Sequence, residues 1–247
     1  MKRLLALLLA LTFFLAFASC NEDKNDGKET ETTTAIEETG EGVVLGQEHD
    51  ADEVDEKIVT LKNNGGFFIR FEVTSDSSDQ EEADKAEFAY GASGELYYFR
   101  MEEEEYYFDL TSETAVEIYT KEEDGWVKSA YTYGADYTKE QVRQVMDGYM
   151  AGISTYMTMY DLYSSYPMQK TSATVAGRAC DQYTFSMNSF GVSLSFSFCV
   201  DRDTDICLKW DASGASLDGS GSASFECREF STNYTVKLPA NAKTAAN

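Results

Sequence analysis

Val192-Ser193-Leu194-Ser195-Phe196-Ser197-Phe198-Cys199-Val200 alternates large apolar and small polar residues without a break. A period of two sends Val192, Leu194, Phe196, Phe198 and Val200 to one side and the serines with Cys199 to the other. Such a stretch is a strand with one greasy face and one small polar face. Its neighbours repeat the pattern. Tyr183, Phe185 and Met187 alternate with Gln182, Thr184 and Ser186, and Ile206, Leu208 and Trp210 alternate with Cys207 and Lys209. Upstream, Phe67, Ile69, Phe71 and Val73 alternate with Phe68, Arg70 and Glu72. Further strands are expected at Ala86–Tyr90, Leu96–Met101, Tyr106–Leu110, Ala115–Thr120 and Trp126–Tyr133, with turn residues between them at about ten-residue spacing.

Two stretches keep a helical period instead. Ala51 to Leu61 places Val54, Ile58 and Leu61 on one side and stops at Asn63-Asn64-Gly65-Gly66. From Thr138 and Gln141, a capping box, a stripe runs through Val142, Val145, Met146, Tyr149, Met150, Ile153, Tyr156, Met157, Tyr160 and Tyr163. Gly148 and Gly152 lie off that stripe and suggest a bend or a close backbone contact. The fold class that follows is α+β, mainly β. An antiparallel meander sheet carries one long helix against its apolar face and a short N-terminal helix; the resemblance given below implies that the sheet is curved into a half-barrel with the helix on its concave side.

The chain has 247 residues and a net charge of -24. That charge argues against nucleic-acid binding, which needs clustered Lys and Arg. One histidine, His49, lies in an acidic stretch, so histidine catalysis and histidine metal ligation are not expected. Ser and Cys nucleophiles have no histidine partner in the folded part, so the reading is non-enzymatic, without catalytic residues or cofactor. Asp201, Asp203 and Asp205 begin like a calcium loop, but Ile206 stands where Gly is needed and no closing Glu follows. A charged turn is the simpler reading. Met146, Met150 and Met157 share a helix face, where packing is favoured over a soft-metal site. No metal site is expected.

Met1-Lys2-Arg3 precedes the uncharged run Leu4 to Phe17, and Ala18-Ser19-Cys20 follows. This is a signal-peptide pattern, too short to span a bilayer. Phe17-Ala18-Ser19-Cys20 resembles the bacterial lipobox, with Phe17 where Leu is usual; an ordinary secretory signal is the plainer alternative. The resemblance implies residues 1–19 as lipoprotein signal peptide and lipidation of Cys20. Residues 21–50 hold ten acidic residues and two lysines. Residues 20–50 therefore read as the lipidated cysteine and an acidic disordered tether. Residues 51–240 form a single β-rich domain and residues 241–247 a disordered tail. The expected location is the bacterial cell envelope, extracytoplasmic and lipid-anchored to the membrane.

The remaining cysteines are Cys180, Cys199, Cys207 and Cys227. Cys180 and Cys199 are symmetric about Ser189/Phe190, Cys199 and Cys207 about Asp203, and Cys207 and Cys227 about Leu217. In regular hairpins they would form a transverse row on strands ~4.8 Å apart. Bridges Cys180–Cys199 and Cys207–Cys227 are expected. A Cys199–Cys207 bridge and four reduced thiols are the alternatives.

Gly177-Arg178-Ala179-Cys180-Asp181-Gln182-Tyr183-Thr184-Phe185, Val200 to Lys209, Phe225 to Phe230 and Val236-Lys237-Leu238-Pro239, with the order of elements, resemble the LolA/LppX-like half-barrel lipoproteins. Asp205 stands where that family's turn has Gly. The resemblance implies a curved sheet with helices across its concave side and a space that can take acyl chains. It transfers no functional residue one for one. The expected function is a membrane-anchored lipoprotein that binds a lipid or other hydrophobic ligand between helix and sheet, lined by Tyr149, Ile153, Met157, Tyr160, Phe185, Leu194, Phe196 and Phe198. The alternative is a tethered structural or protein-interaction module with a filled core and an envelope protein partner.

Overall fold

A computed structural model describes residues 43–44, 51–77, 83–134, 137–157, 159–189, 191–216 and 219–245. The signal peptide, Cys20 and nearly all of the tether lie outside the described residues.

Within the described residues, β1 (Val43–Val44) precedes helix α1 (Ala51–Asn63). Six strands follow: β2 (Phe67–Ser77), β3 (Asp84–Ser93), β4 (Leu96–Met101), β5 (Glu104–Asp109), β6 (Ala115–Glu122) and β7 (Gly125–Thr132). Helices α2 (Lys139–Met157) and α3 (Met159–Tyr163) separate them from β8 (Met168–Val175), β9 (Arg178–Ser189), β10 (Val192–Asp201), β11 (Cys207–Ser216) and β12 (Gly219–Ser231). The chain closes with β13 (Lys243–Thr244). The strands form one large curved sheet in the order β1-β8-β9-β10-β11-β12-β2-β3-β4-β5-β6-β7-β13. The last strand before the C-terminal segment, β12, pairs with the first long strand, β2, and this seam joins two hairpin series. The pairing of β13 with β7 is parallel, so the sheet is mixed rather than wholly antiparallel.

Two short strands fall where disorder was expected. Val43–Val44 of the tether pairs with β8, and Lys243–Thr244 of the tail pairs with β7. Both use the open backbone of an outer strand, which needs no apolar pattern in the added segment.

β2 shows why the sheet has a core side. Phe67, Ile69, Phe71 and Val73 are all buried, and the residues between them are only half-buried. The helices cover this side. Thr138 N–H donates to Gln141 Oε1 at 2.8 Å and Gln141 N–H donates to Thr138 Oγ1 at 3.3 Å, so the capping box starts α2 as its residues predict. A Cβ added at Gly148 or Gly152 would meet nothing within 4 Å. Neither glycine is needed for a close backbone approach.

The β10–β11 turn is an electrostatic clasp. Arg178 donates from Nε and Nη2 to both oxygens of Asp201, each at 2.8 Å. Thr204 adds its N–H at 3.1 Å and its hydroxyl at 2.6 Å. Asp201 is 1% exposed. Burial alone would push its carboxyl up, but Arg178 and Thr204 outweigh burial and hold it below the usual range. A carboxyl depressed in the folded state contributes stability above its unfolded pKa of about 3.9. That stability is lost as pH falls through the folded value. Acid unfolding below about pH 4 is therefore expected to be shallower in Asp201→Asn than in wild type. Asp201→Ala is expected to cost about 3 kcal/mol at neutral pH, because it leaves Arg178 without its buried partner. Urea unfolding at pH 7 and pH 3 checks both, and identical acid limbs would contradict the assignment.

The cysteine row is corrected. All four thiols are free and buried. In the observed register Cys180 faces Asp201, Cys199 faces Gln182 and Lys209, Cys207 faces Val200, and Cys227 faces Phe71. No cysteine faces another, so the Cys180–Cys199 and Cys207–Cys227 bridges do not form. All three hairpins are centred later than their cysteines suggest: β9–β10 by one residue, β10–β11 with Cys199 opposite Lys209 and Val200 opposite Cys207, and β11–β12 with Lys209 opposite Glu226. Burial raises all four thiols, Cys199 to about 11 and Cys227 to about 12. Thiolates are therefore scarce at neutral pH. None of these four is expected to react with iodoacetamide in the native protein, and all four after unfolding. A mass unchanged by reduction is the companion result.

Candidate functional site

The rings of α3 fill the sheet beneath them. The Tyr163 ring centre is 4.4 Å from Phe196, 5.5 Å from Phe185 and 5.8 Å from Phe198. Tyr160 lies 4.8 Å from Tyr183 and 5.9 Å from Phe198. Phe185 and Phe196 stack at 4.9 Å. Further along, the Trp210 indole N–H donates to the Tyr156 carbonyl at 2.9 Å, and Tyr156 packs at 6.0 Å from both Phe71 and Phe225. Such contact distances between rings are those of a packed interior.

The eight expected lining residues therefore separate. Met157, Phe196 and Phe198 are buried in this aromatic mass, with Tyr160 and Phe185 half-buried in it. Ile153 and Leu194 are half-buried against the same core. Tyr149 is not among them. It is 58% exposed and touches a different part of the sheet, where its ring meets Phe99 edge-on at 5.2 Å.

That second region is apolar and open. Phe99 pairs across the strands with Tyr90 and Tyr106, Met101 with Phe88, and Phe108 with Tyr97 and Ile118. Phe88 stacks on Phe71, which packs against Tyr156, so this row faces the helix side. Phe99, Tyr106, Phe108 and Ile118 are only half-buried. Met101 is 44% exposed, and Val145, one turn before Tyr149 on α2, is 47% exposed. Isolated exposed apolar residues are ordinary; here they adjoin along one helix edge and the strands beside it.

A polar cluster lies at the inner end of this region. Lys62 of α1 is buried and donates to Asp147 Oδ1 at 3.0 Å and to the Tyr97 hydroxyl at 3.3 Å. The Tyr97 hydroxyl donates to the same Asp147 oxygen at 3.4 Å. Burial and then Asp147 push the Tyr97 hydroxyl up. Tyr90 is fully buried, its ring 4.7 Å from Phe99, and its hydroxyl has no hydrogen-bond partner. Burial, followed by Tyr97 and Asp147, raises it well above its ordinary value. Both hydroxyls stay protonated at any physiological pH.

An open groove of about 770 Å³ lies at β9–β12, lined on one side of the strands by Ser186, Ser195, Ser213 and Ser222 among others. Ser195 faces Ser186 and Ser213, and Ser213 faces Ser222, so the alternation of Val192–Val200 builds this hydroxyl surface. Ser186 and Ser195 hydrogen-bond to each other at 2.9 Å. The groove is mixed: Met168, Phe185, Phe196, Ala212 and Ala223 give it apolar surface beside these hydroxyls, so two of the expected lining residues, Phe185 and Phe196, also border open space.

The carboxylates of the β10–β11 turn are taken by protein cations. Arg178 meets Asp201 and Asp203, and Lys57 meets Asp205 at 2.9 Å. Among the described residues no group of three His, Cys, Asp or Glu is placed to hold a metal. Met146, Met150 and Met157 are all buried in the core.

Phe99, Met101, Tyr106, Phe108 and Val145 are absent from the expected lining. One signal for them was present. The α2 stripe includes both Val145 and Tyr149 beside Met146 and Met150, wider than one sheet contact requires.

No protein-family model and no curated protein matches this chain. Among solved structures, a DUF1329 family protein from Desulfovibrio piger matches at 8% identity and TM-score 0.24, over 76% of this chain and 93% of that one. A LolA superfamily protein from Nitrosomonas europaea matches at 9% identity and TM-score 0.25, over 76% and 94%. An outer membrane lipoprotein-sorting protein domain from Vibrio parahaemolyticus matches at 6% identity and TM-score 0.20, over 74% and 93%. The LolA superfamily is also the one the sequence resembles. At TM-scores this low, none of the three bears on the function proposed below.

Proposed function

We propose that this chain is a membrane-anchored extracytoplasmic lipoprotein that binds a lipid or other hydrophobic ligand without catalysing a reaction on it. The ligand lies on the open face between α2 and β4–β6, against Phe99, Tyr106, Phe108, Val145 and Tyr149. The single observation that carries this reading is the adjoining exposure of Met101, Val145 and Tyr149 around half-buried rings. Covering such a surface gains about 25 cal/mol per Å² of apolar area removed from water. The site differs from the one expected at Phe185, Phe196 and Phe198, where aromatic packing leaves the interaction-module alternative its strongest support. The membrane enters through Cys20, on the strength of the lipobox-like Phe17-Ala18-Ser19-Cys20.

Two measurements test the parts separately. Native mass spectrometry of the full-length chain with fatty acids and phospholipids is expected to show one apolar ligand per chain. Absence of binding to either class sinks the ligand reading and leaves an interaction module. Cys20→Ala is expected to move the protein from the membrane to the soluble fraction, and retention at the membrane would contradict the anchor.

A further inference from the structure

The open apolar face ends at a cluster that offers more donors than it uses. Lys62 supplies an ammonium, and the Tyr97 and Tyr90 hydroxyls each supply a proton. One carboxylate, Asp147, receives the bonds from Lys62 and Tyr97. The Tyr90 hydroxyl, fully buried, bonds to nothing. A buried hydroxyl without a partner is destabilising, and a phenylalanine would fill the same space without that cost. Its ring meets Phe99, which also meets Tyr149 on the open side, so one ring links the cluster to the apolar surface.

We infer that the open face takes a single-chain amphiphile with an anionic head, and that the Tyr90 hydroxyl and the Lys62 ammonium receive that head. This rests on the apolar face being the binding face, as proposed above. The donors fix the sign of the head. An ammonium and two protonated hydroxyls favour an acceptor, and a charged acceptor makes the stronger bonds. Asp147 now occupies the acceptor position, and its side chain is 36% exposed, so it can yield to a ligand carboxylate by turning toward water. The net charge of -24 acts the other way, because at long range it repels anions and attracts cations. A preference for an anionic head would therefore come from this cluster, against the overall field.

The test titrates the full-length chain with dodecanoate and with dodecyltrimethylammonium, which offer comparable chains and opposite heads, in wild type and in Tyr90→Phe. Wild type is expected to bind dodecanoate at least about tenfold more tightly, the scale of one charge-assisted hydrogen bond. Tyr90→Phe is expected to lose most of that preference while its melting temperature in the absence of ligand rises. Equal binding of the two amphiphiles, or an unchanged preference in Tyr90→Phe, overturns the head assignment and leaves the apolar face standing. A lower melting temperature with unchanged affinity would show that the hydroxyl is satisfied inside the protein, and also overturns it. Binding of neither amphiphile overturns the face itself.

Discussion

Trp210→Ala is expected to destabilise the protein by about 3–5 kcal/mol, the range for removing a large buried aromatic ring. Trp210 is 2% exposed, and strand pairing places it opposite Phe198 on one side and Phe225 on the other. Its indole N–H also holds the Tyr156 carbonyl near the end of α2. The substitution removes the ring and leaves that carbonyl without its indole donor, so the loss lies toward the upper part of the range. Trp210→Phe keeps most of the ring volume and loses the hydrogen bond. The difference between the two variants in urea unfolding isolates the tie between α2 and β11. Equal stability of Trp210→Phe and wild type would show that the bond contributes nothing.

The second large effect is on binding. The double substitution Val145→Asp with Tyr149→Asp is expected to weaken binding of an apolar ligand by more than tenfold and to leave unfolding nearly unchanged. Both side chains are about half exposed, so their replacement removes little folded-state burial. Two carboxylates at the edge of the face would have to lose water when a chain covers them, which is unfavourable without partners. The outcome separates the open face from the filled interface. A ligand lodged among Phe185, Phe196 and Phe198 would not respond to these positions. Loss of affinity with retained stability supports the face beside Phe99; retained affinity moves the ligand elsewhere.

The strands were legible because their alternation is strict. Leu96–Met101 is expected and observed with the same ends, and Val192–Val200 differs from β10 only by including Asp201. β8 was not legible. Met168-Gln169-Lys170-Thr171-Ser172-Ala173-Thr174-Val175 has buried residues only at its two ends, and its place in the sheet depends on pairing with β9. The long helical stripe was legible, from the capping box at Thr138 to Tyr163. The cysteines misled because symmetry in sequence equals pairing only when the turn is centred at the cysteines' midpoint, and each of the three turns is centred half a residue to one residue later.

The site was half legible. Periodicity identified apolar residues on α2 and on the strands, and Tyr149 was among them. Periodicity does not say which of those residues a neighbour covers. Tyr163 and Tyr160 of α3 cover Phe185, Phe196 and Phe198, while Phe99 and Phe108 keep an open edge. That difference depends on which strands Tyr160 and Tyr163 lie over, a tertiary fact. Nor could alternation reveal that the Tyr90 hydroxyl lacks a partner.

Photolabelling with a fatty acid carrying a diazirine on its chain, followed by peptide mapping of the full-length protein, addresses the binding face most directly. Label is expected in residues 96–109 and 139–150, from β4, β5 and the first part of α2. Label confined to the groove of β9–β12, which residues 184–186 and 195–197 line in part, or to no peptide at all would contradict the open face as the ligand site.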